Sequence, residues 1–169
     1  MRAVRWLGYG LAGLVVAIAS IWAMGSRLPV AHRAAVTSTL DADPDAVWRR
    51  IDRIEEWPTW QDVTVELLGG DSVRVRQAGE TLLYRVDRSR PRTLITEIAT
   101  PGLPFGGRWT WSVDSTASGR AAVTIVEDGE VYDPIFRFFS RYVFGHDSTI
   151  RTVMDALEES FEPTTVDPS

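Results

Sequence analysis

The feature that most constrains the fold of this 169-residue chain is a series of strand-like segments followed by one long amphipathic helix. Apolar and polar residues alternate within the segments, which is typical of half-buried β-strands. Short turns separate consecutive segments, and short turns predict antiparallel neighbours. Before them, residues 36–40 predict a first strand, and Asp43-Pro44 predicts the start of a short helix that ends near Trp57-Pro58. The six consecutive predicted strands are residues 63–68, 72–77, 80–87, 93–99, 108–114 and 121–131.

Asp133-Pro134 predicts the start of a second helix that reaches about Phe161, roughly 42 Å in length. Gly145 lies inside it and could mark a break or kink. Its apolar positions recur mostly every three or four residues, which predicts one buried face. These positions are Phe136, Phe139, Val143, Ile150, Met154 (or Val153), Leu157 and Phe161, with His146 filling the gap after Val143. The resulting fold class is α+β: a curved antiparallel sheet of about seven strands around a long C-terminal helix, with a gap between them that suits a ligand.

The N-terminal segment, residues 6–24, contains no charged residue and could span about 28 Å as a helix. Trp6 and Trp22 lie near its two ends, where aromatic rings favour the lipid headgroups. We expect a retained single-pass anchor in a bacterial cell membrane, and the flanking Arg residues slightly favour an external domain. Residues 17–19 have the small-x-small form of a signal-peptide cleavage site, so a cleaved signal is the alternative. The predicted organisation is an anchor at 1–24, a linker at 25–34, a domain at 35–161 and a disordered tail at 162–169.

Composition excludes several kinds of chemistry. All 18 basic residues are Arg, so neither a Schiff-base lysine nor a P-loop lysine is available. The chain has no Cys and two His, which excludes thiol nucleophiles and zinc–sulfur sites. After residue 33 there are 14 Arg against 23 acidic residues, a balance that disfavours nucleic acid as a partner. No cofactor or metal is predicted.

Four segments resemble the SRPBCC superfamily, also described as START-like or Bet v 1-like, in its polyketide cyclase/dehydrase-like branch. They are Asp43-Pro44-Asp45-Ala46-Val47-Trp48 with Trp57-Pro58-Thr59-Trp60, Phe105-Gly106-Gly107-Arg108-Trp109-Thr110-Trp111, and Glu127-Asp128-Gly129-Glu130-Val131-Tyr132. The resemblance covers residues 34–161 and implies a helix-grip fold that binds lipids, polyketides or other apolar molecules. Only some members of the superfamily are enzymes, and they share no universal catalytic residue. The resemblance therefore assigns no catalytic role to any residue of this chain.

Candidate site residues follow from strand and helix periodicity. Glu127 continues the inward-facing row of the last strand, and His146 lies on the apolar stripe of the C-terminal helix, so both are catalytic candidates. The alternatives are a solvated strand end for Glu127 and a core histidine for His146. The predicted ligand-binding residues, which could equally be ordinary core, are Trp57, Trp60, Tyr84, Trp109, Trp111, Ile125, Phe139, Val143, His146 and Ile150.

Three functions remain open from the sequence. The first is a binding or carrier domain for an apolar small molecule or lipid, tethered to the membrane through residues 6–24, and this non-enzymatic role is the one we favour. The second is a polyketide cyclase/dehydratase-like enzyme, which requires Glu127 or His146 to reach a bound carbonyl. The third is a non-enzymatic partner of another membrane protein, which requires an exposed apolar patch and a filled core.

Overall fold

The computed structural model describes residues 2–145 and 147–162. An N-terminal helix, α1, leads into a seven-stranded sheet that is interrupted after its first strand by a helix, α2, and by a 3₁₀ turn at Ile54–Thr59. Two further helices, α3 and α4, follow the sheet. The helices are α1 (Arg2–Ser26), α2 (Pro44–Asp52), α3 (Pro134–Phe139) and α4 (Ser148–Glu159). The strands are β1 (Ala31–Leu40), β2 (Thr64–Gly69), β3 (Ser72–Gln77), β4 (Glu80–Arg90), β5 (Thr93–Ile98), β6 (Phe105–Ser115) and β7 (Ala121–Val131).

The sheet has the order β1-β7-β6-β5-β4-β3-β2, and each neighbouring pair is antiparallel. The predicted α+β class and the seven strands, six of them a meander, are therefore confirmed. Antiparallel register also fixes which loops share an edge of the sheet. The start of β1, the end of β7, the β3–β4 turn and the β5–β6 loop lie at one end, which we call the mouth end.

The core lies between the inner face of the sheet and the helices α2 and α4. Ile150 and Leu157 of α4 and Val47 and Ile51 of α2 have no exposed surface. Asp43 caps α2, because its carboxylate accepts a hydrogen bond of 2.9 Å from the Ala46 amide. Since α2 follows the end of β1, it fills the end of the core that is opposite the mouth end.

The predicted continuous helix over 134–161 is broken in the structure. α3 ends at Phe139, a π-helical turn occupies Ser140–Phe144, and Gly145 has φ 78° and ψ 154°. That backbone conformation suits glycine and stops a helix, so α4 begins again at Ser148. Consequently the predicted buried stripe is buried only in α4, whereas Phe136 and Val143 are exposed.

The predicted linker at 25–34 is also wrong, because α1 continues to Ser26 and β1 begins at Ala31. Residues 31–35 pair with residues 126–130 of β7. Their sequence is rich in Ala, which has low strand propensity, so pairing with a neighbouring strand decides their conformation. Of the predicted tail, residues 163–169 lie outside the described residues.

Helix α1 is apolar enough to cross a membrane over Tyr9–Ser26, and only 6% of that window is buried in the protein. Its last turn packs on α3. Gly25 is buried there, and a side chain at this position would overlap the Pro134 carbonyl. The Arg137 guanidinium donates a hydrogen bond of 2.9 Å to the Leu28 carbonyl, which holds the connection between α1 and β1 against α3.

The buried face of α4 predicts how stability depends on it. We expect Leu157→Ala to lower the free energy of unfolding by about 2–5 kcal/mol, because it leaves a cavity in a fully buried position. Leu67→Ala is the control, since Leu67 is 58% exposed and loses little packing. Urea unfolding of the full chain in mild detergent, followed by tryptophan fluorescence, measures both. Equal, small losses for the two variants would contradict this placement of α4.

Candidate functional site

A cavity of about 380 Å³ opens between the inner face of the sheet and the C-terminal helices. Strands β3 to β7 contribute one wall, and residues from α3, the π-helical turn and α4 contribute the other. The lining includes Gln77, Leu82, Pro104, Phe105, Gly106 and Phe136, most of which lie at the mouth end. The cavity is large enough for a small ligand.

Aromatic rings form the innermost wall of the cavity. The Trp57 and Trp111 ring centroids are 5.8 Å apart, and Trp109 is also 5.8 Å from Trp111. The Trp57 indole donates a buried hydrogen bond of 2.9 Å to the Ile51 carbonyl, which fixes its orientation. These contacts give a rigid surface suited to flat or extended apolar molecules.

Two donors near this wall have no acceptor among the described residues. The indole Nε1 of Trp111 and the amide Nε2 of Gln61 are buried, and both residues line the cavity. A buried donor without an acceptor costs roughly 1–3 kcal/mol. A ligand with an acceptor oxygen placed near either group would remove that cost.

An ionisable pair lies on the same inner surface. His32 Nε2 of β1 is 3.5 Å from Glu127 Oε1 of β7, and their side chains are 14% and 20% exposed. His32 is directly opposite Gly129 in the register of the two strands. A side chain at Gly129 would collide with the imidazole ring, so the glycine allows His32 to reach Glu127.

Burial sets the protonation of the groups around this pair. Burial lowers the pKa of His32 below its ordinary value of 6.5, so the imidazole is mainly neutral at pH 7. Burial raises the pKa of Tyr84, and the Glu127 carboxylate raises it further. Tyr84 therefore keeps its proton and remains a hydrogen-bond donor in the cavity lining.

The structure places some of the predicted site residues in the cavity lining and others in the core or on the surface. Glu127, Trp57, Tyr84, Trp109 and Trp111 line the cavity together. Trp60, Ile125 and Ile150 belong to the buried core, Phe139 is partly buried against Phe138, and Val143 is 59% exposed. His146 lies outside the described residues, so its predicted role has no structural account. Among the described residues, no group of three or more His, Asp and Glu is arranged to hold a metal ion.

Sequence reasoning missed His32 because it assigned residue 32 to a linker. The pattern His32-Ala34-Val36 continues the inward-facing row of β1 backwards, and that alternation is the signal that could have placed it. Gln61 and Thr96 were also missed. Gln61 follows the 3₁₀ turn, Thr96 lies in β5, and both line the cavity.

His32 predicts a pH dependence of stability. Its pKa is lower in the folded chain than the ordinary 6.5, so below pH 6.5 the unfolded chain binds the proton more readily. We expect stability to be fully present above that pH and to fall as the pH drops toward the folded pKa. His32→Gln should reduce the loss of unfolding free energy as the pH falls below 6.5, measured by urea titrations at a series of pH values. His146→Gln, which removes the other histidine, is the control and should keep that loss. A loss that disappears in His146→Gln and persists in His32→Gln would contradict the assignment.

Comparison with solved structures shows the same fold in several proteins. A START superfamily protein from Mycobacterium smegmatis aligns with a TM-score of 0.63 and 14% identity over 76% of this chain and 96% of that one. A Zhui aromatase/cyclase from a Streptomyces species aligns at 0.60 with 16% identity, over 77% and 93%. The di-domain ARO/CYC BexL aligns at 0.66 with 16% identity, over 80% of this chain and 48% of its own length.

Sequence comparison identifies the family directly. A search of curated proteins found no match. The profile of the family described as polyketide cyclase/dehydrase and lipid transport matches residues 31–162, a range that begins with β1 and extends just past the end of α4 at Glu159. The chain therefore belongs to the polyketide cyclase/dehydrase and lipid transport family.

Proposed function

We propose that this chain binds and carries an apolar small molecule or lipid at a membrane. The observation that supports this role is the cavity of about 380 Å³ lined by Trp57, Trp109 and Trp111. A domain that only docks to another protein has no need of such a space, so the cavity favours ligand binding over the docking role. Fully enclosing an apolar side chain or ligand segment of similar size contributes roughly 1.5–3 kcal/mol to binding.

The polar part of the lining indicates the kind of ligand. Trp111 Nε1 and Gln61 Nε2 offer buried donors, and Tyr84 offers a phenol that keeps its proton. A hydrocarbon alone would leave these donors unsatisfied. The proposed ligand is therefore an apolar molecule that carries an acceptor oxygen, such as a carbonyl, ether or hydroxyl group.

The tether is the second part of the proposal. Within the window Tyr9–Ser26 of α1, most side chains have no protein cover, because only 6% of that window is buried. A core helix of a soluble protein would bury far more, whereas a lipid bilayer covers such a surface. We propose that α1 is a retained anchor in a bacterial cell membrane and that the domain begins at Ala31. The anchor would keep the cavity close to ligands that dissolve in that membrane.

Blocking the cavity tests the carrier role. Leu82 lines the cavity, and the neighbouring Thr81 is exposed. We expect full-length Leu82→Trp to lose the apolar molecules that copurify with the parent chain, because the indole fills their space. Thr81→Trp is the matched control and should retain them. Mass spectrometry of organic extracts from the purified proteins measures the content, and thermal unfolding checks that both variants fold.

Two results would contradict the carrier proposal. One is an extract of the folded parent chain that contains no molecule beyond those extracted from the surrounding detergent or lipid. The other is equal ligand content in Leu82→Trp and Thr81→Trp, which would place the molecules outside the cavity.

The His32–Glu127 pair supports a second candidate, an enzyme of the cyclase/dehydratase type. A neutral imidazole 3.5 Å from a carboxylate can remove a proton from a carbon next to a carbonyl. The resulting carbanion would attack a second carbonyl of the same molecule, and the alkoxide formed would take the proton back from the imidazolium. The new hydroxyl and a second proton from the attacking carbon would then be lost as water, which leaves a carbon–carbon double bond. Tyr84 could donate a hydrogen bond to the oxygen on which negative charge develops.

A synthetic poly-β-ketone thioester tests the enzymatic candidate. We expect the parent chain to convert it to a cyclic product that has lost water, and His32→Gln and Glu127→Gln to lower the rate at least roughly a hundredfold. Thr81→Trp is again the control. Tight binding of the thioester without any conversion would exclude this chemistry for that substrate class and leave the carrier role in place.

A further inference from the structure

We propose that an exposed aromatic segment next to α1 lies in the headgroup region of the bilayer and directs the cavity mouth toward the lipid. The segment consists of α3 and the π-helical turn, and we call it the aromatic segment, Pro134–Phe144. The proposal rests on the proposed tether and extends it. It assigns a membrane-contacting surface and a route by which the ligand enters.

The end of α1 fixes where the aromatic segment lies. Gly25 touches Pro134 so closely that no side chain would fit between them. Arg137 holds the Leu28 carbonyl at 2.9 Å, and the Val131 amide donates to the Val30 carbonyl, also at 2.9 Å. The apolar window of α1 ends at Ser26, next to these contacts. A helix that leaves the bilayer at Ser26 therefore places the aromatic segment at the bilayer surface.

The surface of the segment suits that position. Phe136 is 57% exposed, Tyr142 is 58% exposed and Val143 is 59% exposed. The half-buried Phe138 ring is 5.1 Å from the Tyr142 ring. We call Phe136, Phe138, Tyr142 and Val143 the aromatic patch. Aromatic side chains with a polar edge favour the headgroup region.

Charge supports the same orientation. Arg27 and Arg141 are exposed on the short connection after α1 and on the segment itself. The chain after residue 33 is net acidic, and these two arginines provide positive charge beside the end of α1. Anionic lipid headgroups attract such basic side chains by about 1 kcal/mol each.

The cavity opens beside this patch. Phe136, Ser140 and Gly145 line the cavity and also belong to the aromatic segment or follow it directly. The π-helical turn and the glycine at φ 78° separate this wall from α4, whose side chains form the core. A lipid-dissolved ligand would then pass between the bilayer and the cavity under Phe136 without crossing bulk water.

The absence of cysteine allows a direct test by single-site labelling. Tyr142→Cys and Leu67→Cys would each carry an NBD fluorophore on the full chain in phosphatidylcholine/phosphatidylglycerol vesicles. Both parent side chains are 58% exposed, but Leu67 lies near the β2–β3 turn, at the end of the sheet opposite the mouth. We expect spin-labelled lipids to quench the Tyr142→Cys label several-fold more strongly than the Leu67→Cys label, and aqueous iodide to show the reverse order.

Equal quenching by lipid at the two sites would overturn the proposal. So would self-quenching between Tyr142→Cys labels without lipid quenching, which would place a second copy of the chain on the patch. Alkaline extraction of the same vesicles tests the tether separately, and the extracted ligand content tests the carrier role. A chain that stays in the membrane and holds ligand, yet has an unquenched Tyr142→Cys label, would refute only the contact proposed here.

Discussion

The packing of α4 on only part of the curved sheet is the constraint on which the rest of the structure depends. Ile150, Met154 and Leu157 bury their side chains against the core, and α2 fills the end away from the mouth. The helix that would have covered the remaining sheet is interrupted at Gly145. Sheet residues near the mouth therefore face α3 and the π-helical turn across an open space. The cavity therefore exists because α4 covers only part of the inner face of the sheet.

The same region combines two chemical characters. The indole rings of Trp57, Trp109 and Trp111 form an apolar surface for a ligand. His32, Glu127 and Tyr84 supply ionisable and hydrogen-bonding groups in the same lining. Carriage and catalysis use the same arrangement and differ in whether a proton moves once the ligand is bound. Gly129 is central to this polar end, because its missing side chain is what lets the imidazole approach the carboxylate.

Strand periodicity was sufficient to predict the sheet, since alternation and short turns leave few topologies for six consecutive strands. It also placed Glu127, Tyr84, Trp109 and Trp111 on the inner face, where they line the cavity. The start of β1 could not be found this way, because Ala31 to Ala35 become a strand through pairing with β7. That error hid His32. Helical periodicity similarly joined α3 to α4, although Gly145 had been marked as a weak point. Contacts such as Gly25 with Pro134 depend on tertiary packing and have no local sequence signal.

The central claim, that the domain encloses a ligand-sized hollow, is tested most directly by a crystal structure of the full chain grown from a lipidic mesophase. We expect continuous non-protein electron density bounded by Trp57, Tyr84 and Trp109, with a polar atom of that molecule near the Trp111 indole nitrogen. Tryptophan and phenylalanine side chains that collapse inward and fill the space would contradict it.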